Sequence, residues 1–156
     1  MKDSRKASSD APLRSPTAGP PPLVSPLDSM LGYRLRRASM AMMTDAVDTL
    51  REIDLSVGEA SLLILVGNNP GCRQSDVGRA LAIKRANLTP LISRMKARDL
   101  ISDAPIDGRS LSLTLTEKGK ALQDEALTRV KESNRKFESR LMIDGTTLLN
   151  ALDALR

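Results

Sequence analysis

The sequence predicts a mainly α fold with a small β-wing, and three observations carry that prediction. Forty per cent of residues are hydrophobic, yet Tyr33 and Phe137 are the only aromatics. The core must then be Leu, Met, Val, Ile and Ala, which favours packed helices over an aromatic-rich sandwich. Apolar residues recur at spacings of three and four in separate segments before and after the middle of the chain, which is the helical period. In one place the period drops to two, where Leu111, Leu113 and Leu115 alternate with Ser110, Ser112 and Thr114. That is the pattern of a half-buried strand.

Residues 1–24 are rich in Ser, Ala and Pro and cannot bury enough apolar surface to offset chain entropy. They read as a disordered, solubilising arm carrying Lys2, Arg5, Lys6 and Arg14. An ordered domain is predicted over 25–156. Ser25 and Pro26 supply an N-cap and a first-turn proline. Leu27, Leu31, Leu35, Ala38, Met42, Ala46 and Leu50 follow as one stripe on a helix of about 24 residues. Met30, Tyr33, Met40 and Met43 widen that stripe, which suggests a subunit interface. Ser56 and Glu59 fit a capping box at the start of a second helix. Its run Ala60 to Val66 should be buried at the domain centre.

Between Gln74 and Thr116 the chain carries its most specific pattern. A short helix, Gln74 to Leu81, is followed by a tight break and a second helix from about Lys84 to Arg98. Val77, Ala80 and Leu81 should face the core, with Gly78 permitting close approach. Leu88, Leu91, Ile92 and Met95 form the buried stripe of the second helix, and Pro90 should bend its axis slightly. Asp99 can stop it in a left-handed conformation. Leu100 to Asp103 should pair with the Leu111–Leu115 strand across a loop, Ala104–Arg109, forming a two-strand ribbon. Thr116 caps a helix through about Arg140, with Leu122, Ala126, Val130, Phe137 and Leu141 as its apolar positions. Asp144-Gly145 opens a last helix with Leu148, Leu149, Leu152 and Leu155.

Two helices and a ribbon of this kind make a winged helix-turn-helix, suited to the DNA major groove. Residues 70–110 hold eight Lys/Arg against four Asp, a net of +4 out of +5 for the chain. Such a basic patch is the footprint of phosphate binding. Gln74 and Ser75 on the first helix, with Lys84, Arg85, Asn87, Thr89, Ser93, Arg94 and Lys96 on the second, are the expected DNA contacts. Arg and Asn can pair bidentately with guanine and adenine edges. Arg109 at the ribbon tip is expected to enter the minor groove, its guanidinium fixed by Asp107.

Other chemistries find little support. There is no histidine, which removes His-based triads and the usual zinc sites. No Gly-rich phosphate loop or activated nucleophile accompanies the carboxylates, so no enzyme, catalytic residue, metal or cofactor is expected. Cys72 stands alone and reads as a small residue filling a turn rather than a redox switch. No apolar run approaches a membrane span, and no signal-peptide core opens the chain, which points to the cytoplasm.

With this order established, the chain resembles the multiple-antibiotic-resistance repressor (MarR) family from roughly Leu27 to Leu155. The specific parts are QSDVGRALAIKRANLTPLISRMKARDLI and DGRSLSLTLTEKG, including Asp107/Arg109 and Leu115-Thr116/Gly119. The resemblance implies a homodimer built from terminal helices, here 25–52 and 117–156, flanking a winged helix-turn-helix at 56–116. It implies pseudo-palindromic double-stranded DNA as the partner, with the two copies of Lys84–Arg98 about 34 Å apart. It also implies repression relieved by a small molecule, often an aromatic carboxylate or acyl compound. Tyr33, Arg34, Arg37 and Met40 on the first helix are the effector-binding candidates. Ala82 stands where relatives often have Gly, and Ser102, Asp103 and Ser112 replace basic residues common in the wing. The competing reading is a winged-helix module acting mainly through protein–protein contacts, which leaves a basic recognition helix unexplained.

Overall fold

The computed structural model describes residues 23–107 and 110–155. Among them the chain forms six α-helices and a three-stranded antiparallel sheet. The first helix, α1, spans Leu31–Arg51 rather than starting at Pro26. Ser25 does cap Pro26–Ser29, but that segment is a single 3-10 turn closed by an extended Met30. The reason is local. Arg34 Nε donates to the Asp28 carbonyl, the acceptor that a continuous helix would offer to the residue four positions on.

Helix α2, Val57–Asn68, begins with the complete capping box of Ser56 and Glu59. It lies at the centre of the domain, with Leu62, Leu63 and Val66 fully buried. The chain then forms a short strand, β1 (Cys72–Arg73), which pairs with the later strand β3 (Ser110–Leu115) through Cys72 opposite Leu113. Cys72 thus lies in a strand rather than a turn. Burial raises its thiol pKa, which opposes thiolate chemistry.

Helices α3 (Gln74–Ala80) and α4 (Arg85–Ala97) follow. Val77 is buried and Leu81 half-buried, whereas Ala80 is exposed because α3 ends there. The predicted α4 stripe of Leu88, Leu91, Ile92 and Met95 is buried throughout. Pro90 sits within α4 without ending it. The turn between the helices passes through Ala82 at φ 51, and Asp99 ends α4 at φ 58. A left-handed alanine costs about 1–2 kcal/mol, while glycine adds about 0.4–1 kcal/mol of unfolded-state entropy. The strain outweighs the entropy. Ala82→Gly is therefore expected to stabilise the protein by up to about 1 kcal/mol, read as a raised denaturation midpoint; a lowered midpoint would refute strain at this turn.

Strand β2 runs Ile101–Asp107, longer than the sequence suggested, and pairs with β3 through Asp103 opposite Leu113 and Ala104 opposite Ser112. The segment Ala104–Asp107 is thus strand rather than loop, with a bulge between Pro105 and Asp107. An edge strand accepts the proline because its outer side needs no donor, and the sheet order β1-β3-β2 makes β2 an edge. Gly108 and Arg109 at the wing tip lie outside the described residues, and with them the expected Asp107–Arg109 contact. So does the arm as far as residue 22.

Helix α5, Glu117–Glu138, starts at Thr116, whose hydroxyl accepts from Gly119 N and donates to the Asp99 carbonyl. Ala126 is buried, Leu122, Val130 and Phe137 are half-buried, and Leu141 is exposed beyond the helix end. Helix α6, Gly145–Asp153, is capped by Asp144 and buries no residue. Along α1 only Leu50 is buried. Met40, Met42, Met43 and Val47 on α1 are exposed, as are Leu149 and Leu155 at the other end of the chain. The terminal helices therefore carry the apolar surface that this chain alone does not cover. Among the described residues no helix is long and apolar enough to cross a membrane.

Candidate nucleic-acid interface

The helix pair is built for close packing. A methyl group at Gly78 would stand 3.0 Å from Leu88 Cδ2 and 3.3 Å from the Ile83 carbonyl oxygen. Only hydrogen fits without displacement, which lets α3 approach α4. Lys84 caps α4 in an extended conformation with no side-chain hydrogen bond to the helix. The first N–H groups of α4 therefore add positive potential at its start.

The buried stripe of α4 fixes what faces outward. Ala86, Pro90, Ser93 and Ala97, at spacings of four, three and four, form an exposed crest of small residues. Longer side chains flank it. Arg85, Thr89 and Lys96 lie on one side, and Asn87, Arg94 and Arg98 on the other. A small crest lets the helix axis sit deep in a groove about 12 Å wide, with base reading left to the flanks.

The expected contact residues divide by their present partners. Among the described residues, no ion pair or side-chain hydrogen bond engages Lys84, Arg85 or Asn87, nor the hydroxyls of Ser75 and Ser93. Gln74 Nε2 donates to Thr89 Oγ1 at 3.3 Å, and Thr89 in turn donates to the Arg85 carbonyl at 3.2 Å. Thr89 thus presents its methyl group, and Gln74 is steered to the same flank. Lys96 Nζ lies 2.5 Å from Asp103 on β2. Arg94 lies 3.7 Å and Arg98 3.8 Å from the same Glu59 oxygen on α2. Burial raises the Glu59 pKa, but hydrogen bonds from Ser56 and the Arg98 and Arg94 charges outweigh it, so the carboxyl stays below its ordinary value.

Beside the free cations, a cleft of about 530 Å³ opens between α3, the start of α4 and β3. Arg73, Arg79, Lys84 and Arg85 line it, over Ile83, Leu88 and Leu111, and among the described residues no carboxylate does, although Arg79 pairs with Asp76 at 3.4 Å just outside. Such a surface concentrates positive potential. Arg73, Arg79, Glu59 and Asp103 were missed as site residues. Glu59 was legible only as a helix cap, and Asp103 only as a departure from a basic pattern.

The effector candidates lie elsewhere, at the start of α1. The Arg37 guanidinium stands 5.9 Å from the centre of the Tyr33 ring. Arg37 pairs with Asp28 at 3.7 Å, and Arg34 also engages Asp28 through its carbonyl. Met40 is exposed. The structure brings Tyr33, Arg34 and Arg37 together around the 3-10 turn and leaves Met40 on the open surface of the helix.

The sequence profile of the MarR family matches residues 53–110, from the α1–α2 corner to the first residue of β3. Over that stretch, somewhat more than a third of its length, the chain resembles the MarR family. It is 23% identical over 116 residues to the HTH-type transcriptional repressor Rv2887 of Mycobacterium tuberculosis, covering 73% of this chain and 84% of that protein. Among solved structures it resembles the transcriptional repressor CouR bound to a 23-mer DNA duplex, at 29% identity and a TM-score of 0.70. That likeness covers 83% of this chain and 91% of the other. CouR bound to p-coumaroyl-CoA matches at 26% identity and a TM-score of 0.71, over 82% and 91% of the two chains. The chain thus shares the winged helix-turn-helix fold of these proteins, which are described as transcriptional repressors.

Proposed function

We propose that this chain is a MarR-type regulator, a cytoplasmic homodimeric repressor that reads a pseudo-palindromic operator with α4 and is released by a small organic anion. The observation that carries the DNA reading is the set of unengaged Lys84, Arg85 and Asn87 side chains beside a cleft lined by four cations and, among the described residues, by no carboxylate. Lys84 and the cleft cations take phosphates, while Arg85, Asn87 and the Thr89 methyl face base edges, with Gln74, Ser75 and Ser93 beside them. Arg109 carries the wing into the minor groove. The DNA-bound CouR relative supports this arrangement, and its p-coumaroyl-CoA complex supports an aromatic acid or its acyl thioester as the effector class. Tyr33, Arg34, Arg37 and Met40 are proposed to meet that effector where α1 joins the rest of the dimer.

In this reading residues 25–52 and 117–156 hold the dimer, and 56–116 bind DNA. Two copies of α4 then lie about 34 Å apart, one turn of the duplex. The test is a fluorescence-anisotropy titration on a duplex selected by the protein from a random-sequence pool. Arg85→Ala is expected to weaken binding by about 1–3 kcal/mol and to relax preference at one base position. Log affinity should also fall linearly with log salt. Binding indifferent to salt would instead favour a module that acts through protein contacts.

A further inference from the structure

The cations of α4 are not equivalent. Those in its first turn are unengaged, whereas those in its last turns are taken by carboxylates from the two flanking elements. On one flank, Glu59 of α2 faces both Arg94 and Arg98. Its second oxygen accepts from Ser56 N at 2.9 Å and Ser56 Oγ at 2.8 Å. Arg98 also donates to the carbonyl and carboxylate of Asp54, at 2.8 and 3.1 Å, in the α1–α2 corner. On the other flank, Asp103 of β2 holds Lys96.

Both carboxylates are sheltered, whereas Arg94 and Lys96 are not and Arg98 lies between. The Glu59 side chain is 11% exposed and that of Asp103 19%, against 60% for Arg94 and 42% for Lys96. A surface ion pair would contribute little. A carboxylate withdrawn from water and fixed by its own element costs more to leave uncompensated, so each holds its cation to a fixed flank. These contacts act from opposite sides of one helix. Together they oppose its rotation and subtract charge from the end that would otherwise bind phosphate without regard to sequence.

We propose that Glu59 and Asp103 are positioning residues that set the specificity of this regulator, clamping the C-terminal half of α4 from both flanks and confining DNA reading to its N-terminal half. The inference rests on the DNA-binding reading given above. It predicts a signature that mere structural support does not produce. Neutralising either carboxylate frees cations for phosphates, so non-specific binding strengthens while operator binding does not.

The test uses the full-length protein and the variants Glu59→Gln and Asp103→Asn. Glutamine can keep the capping box, and asparagine can still accept from Lys96, so each variant removes charge and preserves the fold. Melting temperature and active fraction are measured for each. Affinity is measured for the duplex selected by the wild-type protein and for poly(dI-dC), across a salt series. The expected result is a specific-to-non-specific ratio lowered at least fivefold in each variant. The slope of log affinity against log salt on poly(dI-dC) should steepen by about 0.9 for each cation released onto a phosphate: Lys96 for Asp103→Asn and Arg94 for Glu59→Gln, since Arg98 keeps its bonds to Asp54. An unchanged ratio and slope, or equal losses on both DNAs, would overturn the proposal while leaving the DNA reading intact. Failure of the wild-type protein to bind either DNA would overturn both.

Discussion

Gly119→Ala is expected to destabilise the protein by roughly 3 kcal/mol or more, at or beyond the upper end of overpacking costs. A methyl group there would overlap the Leu100 carbonyl oxygen. That oxygen cannot move freely, because it accepts from Thr116 N at 3.2 Å. Thr116 is fixed in turn by its hydroxyl, 2.7 Å from the Asp99 carbonyl and 3.0 Å from Gly119 N. Lys118 adds a bond to the Arg98 carbonyl at 2.8 Å. The clash is thus backbone against side chain, and no rotamer change relieves it. Either the first turn of α5 lifts from the α4–β2 junction or the junction opens. At about 2–4 °C per kcal/mol for a chain of this size, the melting temperature should drop by about 10 °C at fixed protein concentration. A change below 2 °C would mean that α5 swings aside without cost.

The same residues explain how far the sequence could be read. Leu115, Thr116 and Gly119 were visible as a family element, and Thr116 was visible as a cap. What the glycine packs against was not, because Leu100 reaches it only through the tertiary fold. Local signals were otherwise dependable. Ser56 with Glu59, Thr116 and Asp144 each cap the helix they announced. The α4 stripe is buried as its spacing required, and Ala82 takes the left-handed turn that its position demanded.

Failures came where one local pattern served two structures. The α1 stripe runs unbroken through Met30, so the 3-10 turn left no trace in periodicity. A two-residue strand such as β1 has no period to detect. Pro105 and Asp107 look like loop residues, yet an edge strand accommodates both. In the interface, residue type identified the basic helix but could not divide its cations. Arg94 and Lys96 look as available as Arg85 until Glu59 and Asp103 are brought beside them. Contacts between distant segments decide which charge is free, and spacing along one helix carries no record of them.

Leu149→Asp is expected to leave the single chain folded yet lower affinity for a two-half-site duplex by about 10²-fold or more. Helix α6 has nine residues and buries none of them in this chain. An isolated helix of that length is marginal in water, so its Leu-rich face needs a partner. Leu149 is 64% exposed and Leu155 63%, beside Leu141, Met142 and Ile143, which are also exposed. Together with the open methionines of α1 they form an apolar surface of the kind that marks an interface. A carboxylate placed on this apolar face would have to be desolvated on association, at a cost of several kcal/mol. Dimerisation then fails, and each half-site must be bound separately. The second contact loses the effective concentration that tethering supplies, worth 10²–10⁴ in overall affinity. Light scattering should report a monomer with unchanged helix content by circular dichroism. Binding to a single half-site duplex should stay as weak as that of the wild-type protein. A variant that remains dimeric and binds the full site normally would remove α6 from the interface and leave α1 and α5 to hold it.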